Sequence, residues 1–319
     1  MRYSVFSKEI ELSQVEAECR KVGAKNVRVT PRLKQIFCEL DAGQVAKLSA
    51  AGLSVKEIKT IKTAQVAVPT MPMVEYAEEV GMNLAPLFND FRGAFTPPLT
   101  GVGHTVAILD SGIRITHEAL EDKVVYEENF SDSDTYDDIF NHGTNVAYII
   151  AGGIHGSEKS GVAPGARLMN LKCLNDNGEG TDEMLINAID RVCDLVEQAK
   201  AGNKPLSDEM YPNVINLSVG CEDDGDPDNP VRVACRTAVD EYGLQVIAAA
   251  GNAGDRVKTI LLPAVEEKVV AIGGLYSDIF EIWPQSSRGP TLEELVKPDF
   301  VAWATNIYVA SSEADDEYT

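Results

Sequence analysis

The chain is poor in the features that mark several protein classes. No stretch approaches the roughly 18 uncharged apolar residues that a membrane-spanning helix requires, so no membrane association is expected. The opening Met-Arg-Tyr-Ser-Val-Phe-Ser-Lys lacks a basic region followed by an apolar core, so no secretory leader is read there. None of the six cysteines forms a Cys-x-x-Cys pair, which argues against zinc or thioredoxin-type chemistry. Cys193 falls on an apolar helix face and Cys173 in a strand-like run, and both read as small buried hydrophobes of a reducing compartment. Cations are scarce, 28 Lys and Arg against 50 Asp and Glu, for a net charge of −22. A nucleic-acid face needs clustered cations, so nucleic acid is not expected as a partner.

The shortage is uneven. Residues 1–65 carry 12 Lys and Arg against 7 Asp and Glu, and the remainder carries 16 against 43. Opposite signs on two parts of one chain suggest mutual attraction. A solvated acidic surface with a chance excess of Lys at one end is the plainer alternative. With 44% hydrophobic residues and ordinary Gly and Pro, the composition is that of a globular protein long enough for one large and one small domain.

Residues 1–65 read as β-α-β-β-α-β. Arg2–Phe6 alternates as a strand, and Ser13–Val22 is rich in helix formers behind a candidate Ser13 cap. Val27–Thr30 and Gln35–Leu40 are short strands around Pro31-Arg32. Ala42–Ala50 is a second helix closed by Gly52, and Ser54–Ile61 alternates again. That order is ferredoxin-like. Residues 66–100 hold Pro69, Pro72, Pro86, Pro97 and Pro98 and read as a linker or extended arm, with one candidate helix near Met73–Val80. From Gly101 onward strands and helices alternate. Strands are expected at Thr105–Leu109, Leu168–Leu174, Val214–Leu217, Gln245–Ala249 and Val269–Ile272. Helices are expected at His142–Ala151, Asp182–Ala199 and Val231–Tyr242. The alternation predicts an α/β domain, a parallel sheet with helices on both faces, over 101–319.

In such sheets chemistry gathers at the carboxyl ends of strands. Asp110 ends an apolar run in Leu109-Asp110-Ser111-Gly112, and Asn141-His142-Gly143-Thr144 opens a helix. Asn216-Leu217-Ser218-Val219-Gly220 and Ala248-Ala249-Ala250-Gly251-Asn252 each lead out of a strand. Acyl transfer near neutral pH needs a base such as His, a carboxylate to fix its tautomer, and a donor aimed at the oxyanion, a role that an Asn side chain can fill.

Taken in order, Asp110-Ser111-Gly112, His142-Gly143-Thr144 and Ala250-Gly251-Asn252 resemble the subtilases, the subtilisin-like serine proteases. The 32-residue step from Asp110 to His142 fits that family. Gly161-Val162-Ala163-Pro164 with Leu171-Lys172, Ile215-Asn216-Leu217-Ser218, Ser286-Ser287-Arg288-Gly289-Pro290 and Lys297-Pro298-Asp299 extend the likeness over about residues 101–312. The resemblance implies a three-layer subtilisin-like fold and a serine endopeptidase acting through an acyl-enzyme. It makes Asp110 the acid that orients the base, His142 the base and Asn252 the oxyanion donor. Ser218, Val219 and Gly220 would line the cleft and pair with substrate backbone, and Ala249, Ala250 and Gly251 would wall the specificity pocket. No cofactor is needed for that chemistry, and peptides or proteins are the implied substrates.

The chain departs from the family at several points. Asn145 and Tyr148 replace the usual His and Gly, Cys221 follows Gly220 where a second Gly is common, and Val301-Ala302-Trp303-Ala304 replaces an Ala-Pro-Gly turn. The nucleophile motif Gly-Thr-Ser-x-Ala does not occur, and Ser311 and Ser312 lack its context. The expectation is that the remainder, with the nucleophile, is supplied by a second chain, by a nicked fragment or by further sequence. The resemblance also gives 1–65 the role of a propeptide that assists folding and then inhibits, its arm lying in the cleft somewhere in 62–80. An unrelated small domain of the same fold is the alternative.

Subtilases often bind calcium, and Asp132, Asp134, Asp137 and Asp138, or Glu222, Asp223, Asp224, Asp226 and Asp228, are candidate ligands beside the reading of both as solvated acidic loops. His104, His117 and His155 read as surface or loop residues. Two other functions stay open: a pseudoprotease that binds peptides without catalysis, and a nucleotide-binding protein using Gly101-Val102-Gly103, a pair poorly placed because it precedes its strand. Localisation is open between the cytoplasm and, with a removed leader, secretion.

Overall fold

A computed structural model describes residues 1–63, 99–153, 160–202, 211–276 and 281–319. The linker read at 66–100, its candidate helix and His155 lie outside the described residues, apart from Leu99 and Thr100.

The N-terminal segment forms β1 (Arg2–Phe6), α1 (Leu12–Lys21), β2 (Lys25–Thr30), β3 (Gln35–Glu39), α2 (Ala42–Ala50) and β4 (Ser54–Glu57). Its antiparallel sheet has the order β2-β3-β1-β4, the ferredoxin-like arrangement read from the sequence. Val5, Val15, Cys19, Ile36, Cys38 and Leu48 fill its core. Two local readings need correction. Helix α1 is entered through Glu11 with no side-chain cap, so Ser13 is inside the helix; α2 instead carries a full capping box between Asp41 and Gln44. The run Ser54–Ile61 also breaks in two: the Ile58 N–H still donates to the Arg2 carbonyl of β1 at 3.1 Å, Lys59 turns away to Asp182, and Thr60–Thr63 forms a separate strand, β5.

The larger part is a seven-stranded sheet, all of whose pairs are parallel. It contains β6 (Thr105–Asp110), β7 (Val124–Asn129), β8 (Arg167–Lys172), β10 (Pro212–Leu217), β12 (Gln245–Ala249), β13 (Val270–Leu275) and β14 (Phe300–Trp303), in the order β14-β13-β12-β10-β6-β8-β7. Helices α3 (Gly143–Ala151), α4 (Asp182–Lys200) and α5 (Pro230–Asp240) cover it. Strand alternation divides the layers. Ile108 of β6 packs with Ala147 and Ala151 of α3, while Ala107 and Leu109 pack with Leu185, Ile189 and Val192 of α4 on the other face. Thr181 caps α4 by accepting the Met184 N–H, and Asn229 caps α5 before Pro230. Two short strands, β9 (Glu179–Thr181) and β11 (Val219–Gly220), project from this body.

The N-terminal sheet docks on α4 and α5. Leu33, Phe37 and Ile61 join the main hydrophobic core, and the Gln35 side chain donates to the Pro230 carbonyl at 2.9 Å. Around this wedge the charges pair as their distribution suggests. Arg2 meets Glu183 at 2.6 Å, Lys8 meets Asp228 at 2.5 Å, Lys34 meets Glu241 at 3.4 Å and Lys56 pairs with Asp226. Arg32 reaches Asp194 at 2.5 Å and Glu197 at 2.9 Å, while the Arg32 and Leu33 N–H groups donate to the buried Asp190.

Candidate active site and cleft

Asp110 ends β6 with 1% of its surface exposed. Its Oδ1 accepts from the Ser111 N–H and from His142 Nδ1, each at 2.7 Å. A carboxylate can only accept, so the proton lies on Nδ1 and Nε2 is left as the basic nitrogen. Two glycines permit this approach. Gly112 has φ +111°, and a Cβ at Gly143 would run into the Gly112 carbonyl oxygen.

The start of α3 is fixed by side chains that the sequence reading did not assign to the site. Asp138 is buried and accepts from the Thr144 N–H at 2.8 Å, the Asn141 N–H at 3.0 Å and the Ser111 hydroxyl at 2.8 Å. The Ser111 oxygen in turn accepts the Gly143 N–H at 3.0 Å. Free N–H groups at a helix start carry partial positive charge, so a carboxylate there both satisfies and neutralises them. Lys172, fully buried, donates to the carbonyls of Ser111 and Asp137. A carboxylate four residues before a helix-opening His was the available signal for Asp138.

Asn252 lies on a loop held by the Ser286-Ser287 segment. The Ser287 N–H donates to the Gly251 carbonyl at 3.0 Å, and the Ser287 hydroxyl accepts from the Ala253 N–H at 3.1 Å. Gly251 has φ +109°, and a Cβ there would meet Leu261 and the Ser287 hydroxyl. Asn252 lines an open cavity of about 530 Å³ with Thr63, Gly178, Glu179, Gly220 and Leu261. Of the expected pocket walls, Ala250 is buried and Ala249 half-buried, and neither lines that cavity. The reason is that β12 runs inside the sheet and the chain opens into the cavity only at Asn252.

The cleft contains a strand of the chain itself. β5 lies between β11 and β9, antiparallel to both, with Val219 opposite Thr63, Gly220 opposite Lys62, Lys62 opposite Glu179 and Ile61 opposite Gly180. Ile61 and Thr63 point into buried surroundings, and Lys62 faces outward to Glu179 at 2.5 Å. Val219 and Gly220 thus pair with the backbone of β5, while Ser218 stands beside the strand and its hydroxyl accepts from the Asn216 side chain at 3.1 Å. β5 begins at Thr60, ahead of the range 62–80 expected for the arm, of which 64–80 lie outside the described residues. β9 was missed because three residues centred on Gly180 carry no periodic signal.

The calcium readings do not fit the donor set. Asp224, Asp226 and Asp228 are engaged by Lys59, Lys56 and Lys8, and both oxygens of Asp138 already accept the N–H and hydroxyl groups above. Among the described residues no three His, Cys, Asp or Glu side chains converge on a common point. His117, read as a surface or loop residue, lies in a loop but not at the surface. It is buried, its Nδ1 accepts the Ala119 N–H, and its Nε2 lies 2.8 Å from the Glu317 carbonyl. Gly101-Val102-Gly103 sits at the amino end of β6, the opposite end from Asp110.

Residues 101–319 match the model of the subtilase family, Peptidase_S8. Over 225 residues the chain is 34% identical to "Serine protease AprX" of Bacillus subtilis (strain 168), covering 66% of this chain and 48% of that protein. It is 30% identical over 312 residues to "Thermophilic serine proteinase" of Bacillus sp. (strain AK1), covering 92% and 68%. It is 33% identical over 180 residues to "Major intracellular serine protease" of B. subtilis, covering 53% and 50%. The chain therefore spans about half the length of two of these curated relatives. With the ordered motifs, the parallel sheet and the family match in agreement, the chain belongs to the subtilase family.

Proposed function

We propose that this chain forms the larger part of a serine endopeptidase held inactive by its own N-terminal domain. The observation that carries the reading is the cleft: β5 is bound between β9 and β11 as an extended peptide would be, upstream of Asn252. In the complete enzyme His142 takes the proton of a serine carried outside these 319 residues. Asp110 keeps the imidazole in the tautomer with the proton on Nδ1, so that Nε2 is the basic nitrogen, and stabilises the imidazolium. Asn252 donates to the oxyanion of the tetrahedral intermediate. Residues 1–63 act as inhibitor. Support for that role comes from the apolar wedge of Leu33, Phe37 and Ile61, from the ion pairs around it, and from a strand that blocks the cleft. No cofactor takes part in these steps.

The test is kinetic. In the full-length protein, freed of residues 1–63, Asp110→Asn should lower kcat on a peptide substrate by about 10⁴, with KM little changed, as loss of the orienting carboxylate does in a serine triad. Cleavage that survives both Asp110→Asn and His142→Ala would refute the assignment. Peptide binding without cleavage in the unmutated protein would favour a peptide-binding module without catalysis.

A further inference from the structure

Backbone pairing in the cleft reads no sequence, because every peptide offers the same N–H and C=O groups. Selection must come from side chains, and the bound strand shows two contacts that a neutral peptide could not make. Lys62, at the centre of β5, meets Glu179 of β9 at 2.5 Å. Lys59, just before β5, meets Asp224 at 2.8 Å, while its backbone is held by Asp182. Glu222 lines the same cavity as Lys62 and Thr63. When the N-terminal domain leaves, Glu179 and Asp224 lose these cations. Asp226 and Asp228, next along the same loop, lose Lys56 and Lys8 at the same moment. The uncovered cleft is then edged by unpaired carboxylates along the path that a substrate follows.

We infer that the cleft selects cationic peptide segments, with a Lys or Arg at the position of Lys62 read by Glu179 and a second at the position of Lys59 read by Asp224. This rests on the reading of β5 as a substrate-like strand. The Lys62 pair is partly open to solvent, so its effect is modest when the charge is merely removed and larger when it is reversed. The acidic rim also speeds the approach of basic segments, an effect that salt screens.

Two measurements test it. The first follows hydrogen exchange at the amides of Thr60–Thr63 in the chain as it stands. Lys62→Glu and Glu179→Lys should each speed exchange by about tenfold, and the double variant should return it to within about twofold of the original. Single variants that exchange like the parent, or a double variant that recovers nothing, would overturn the inference. The second uses the full-length enzyme freed of residues 1–63 and a pair of peptides based on Lys59–Thr63, one with Glu in place of the lysine at the Lys62 position. The Lys peptide should have a kcat/KM about tenfold higher at low salt, and Glu179→Lys should invert the preference. Equal values for both peptides would overturn the inference while leaving the peptidase intact. Cleavage of neither peptide, nor of any protein substrate, would instead refute the peptidase reading, and the exchange experiment would still decide whether Glu179 reads a lysine.

Discussion

Lys59 and Asp182 exchange two hydrogen bonds across the seam between the N-terminal domain and the main body. The Lys59 N–H donates to Asp182 Oδ2 at 3.0 Å, and the Asp182 N–H donates to the Lys59 carbonyl at 3.0 Å. The link lies where β5 enters the cleft and α4 begins, so β5 is tied to the first turn of a core helix. It also buries a carboxylate whose second oxygen, Oδ1, has no hydrogen-bond partner.

That burial has a pH consequence. Desolvation pushes the Asp182 carboxyl up to about 6, against the pull of the Lys59 N–H and ammonium, with Asp224 adding to the rise. The folded chain therefore holds this proton more tightly than the unfolded chain, whose carboxyl titrates near about 4. Stability falls as pH rises from about 4 to about 6 and is then flat, a change of about 3 kcal/mol from this group. Asp224 and Asp226 act in the opposite sense. Burial raises both carboxyls, but Lys59 and Lys56 pull them below the usual carboxylate range, so their contribution is lost only as pH falls below about 4. Asp182→Asn keeps the acceptor for the Lys59 N–H and removes the charge. It should raise the Tm by a few degrees at pH 7.5 and abolish the slope between pH 4 and 6 in melts followed by circular dichroism. A variant whose Tm falls at pH 7.5 would show that the ionised carboxylate stabilises the seam.

Salt should loosen the N-terminal domain selectively. Most of its ion pairs to the main body, those of Lys8, Lys34, Lys59 and Lys62 among them, are at the rim, where screening is effective, and the apolar wedge beneath them is insensitive to salt. Between about 0.05 and 1 M sodium chloride, hydrogen exchange at Thr60–Thr63 should accelerate by about tenfold while the amides of β6 hold their rates. Equal acceleration in both strands would mean that the charges stabilise the whole fold rather than the docking.

Gly143 is the position where a single methyl should separate fold from site. The added Cβ would collide with the Gly112 carbonyl, and neither neighbour is a flexible side chain that can step aside. Gly143→Ala should move His142 away from Asp110, lower the Tm by only a few degrees, and abolish the downfield proton resonance expected for an Nδ1–H bonded to a carboxylate. Retention of that resonance with unchanged activity of the full enzyme would contradict the tight packing of these two glycines.

The parts of the fold that can be read in the sequence are those set by local pattern. Thr105–Asp110 is a short apolar run with its carboxylate at the end, and it forms a strand whose two faces both find a helix layer. His142 could be placed at a helix start because Gly143-Thr144 and the apolar run Val146–Ala151 follow it. Other parts depend on partners distant in sequence. Asp224, Asp226 and Asp228 look like a metal loop in isolation, and only their lysines, more than 160 positions away, show their use. β9 is too short and Gly-centred for a strand signal, and it is defined by the peptide it pairs with. The break between β4 and β5 is likewise tertiary, since Lys59 leaves the sheet to meet Asp182.

The proposed peptidase requires an activated serine that depends on His142 and is shielded by residues 60–63. The most direct measurement is labelling of the full-length protein with a fluorophosphonate probe, followed by mapping of the modified residue. Weak labelling is expected while residues 1–63 are docked, strong labelling of a single serine outside residues 1–319 once 1–63 are removed, and none in His142→Ala. A protein that stays unlabelled with the cleft cleared, or labels equally well in His142→Ala, would contradict it.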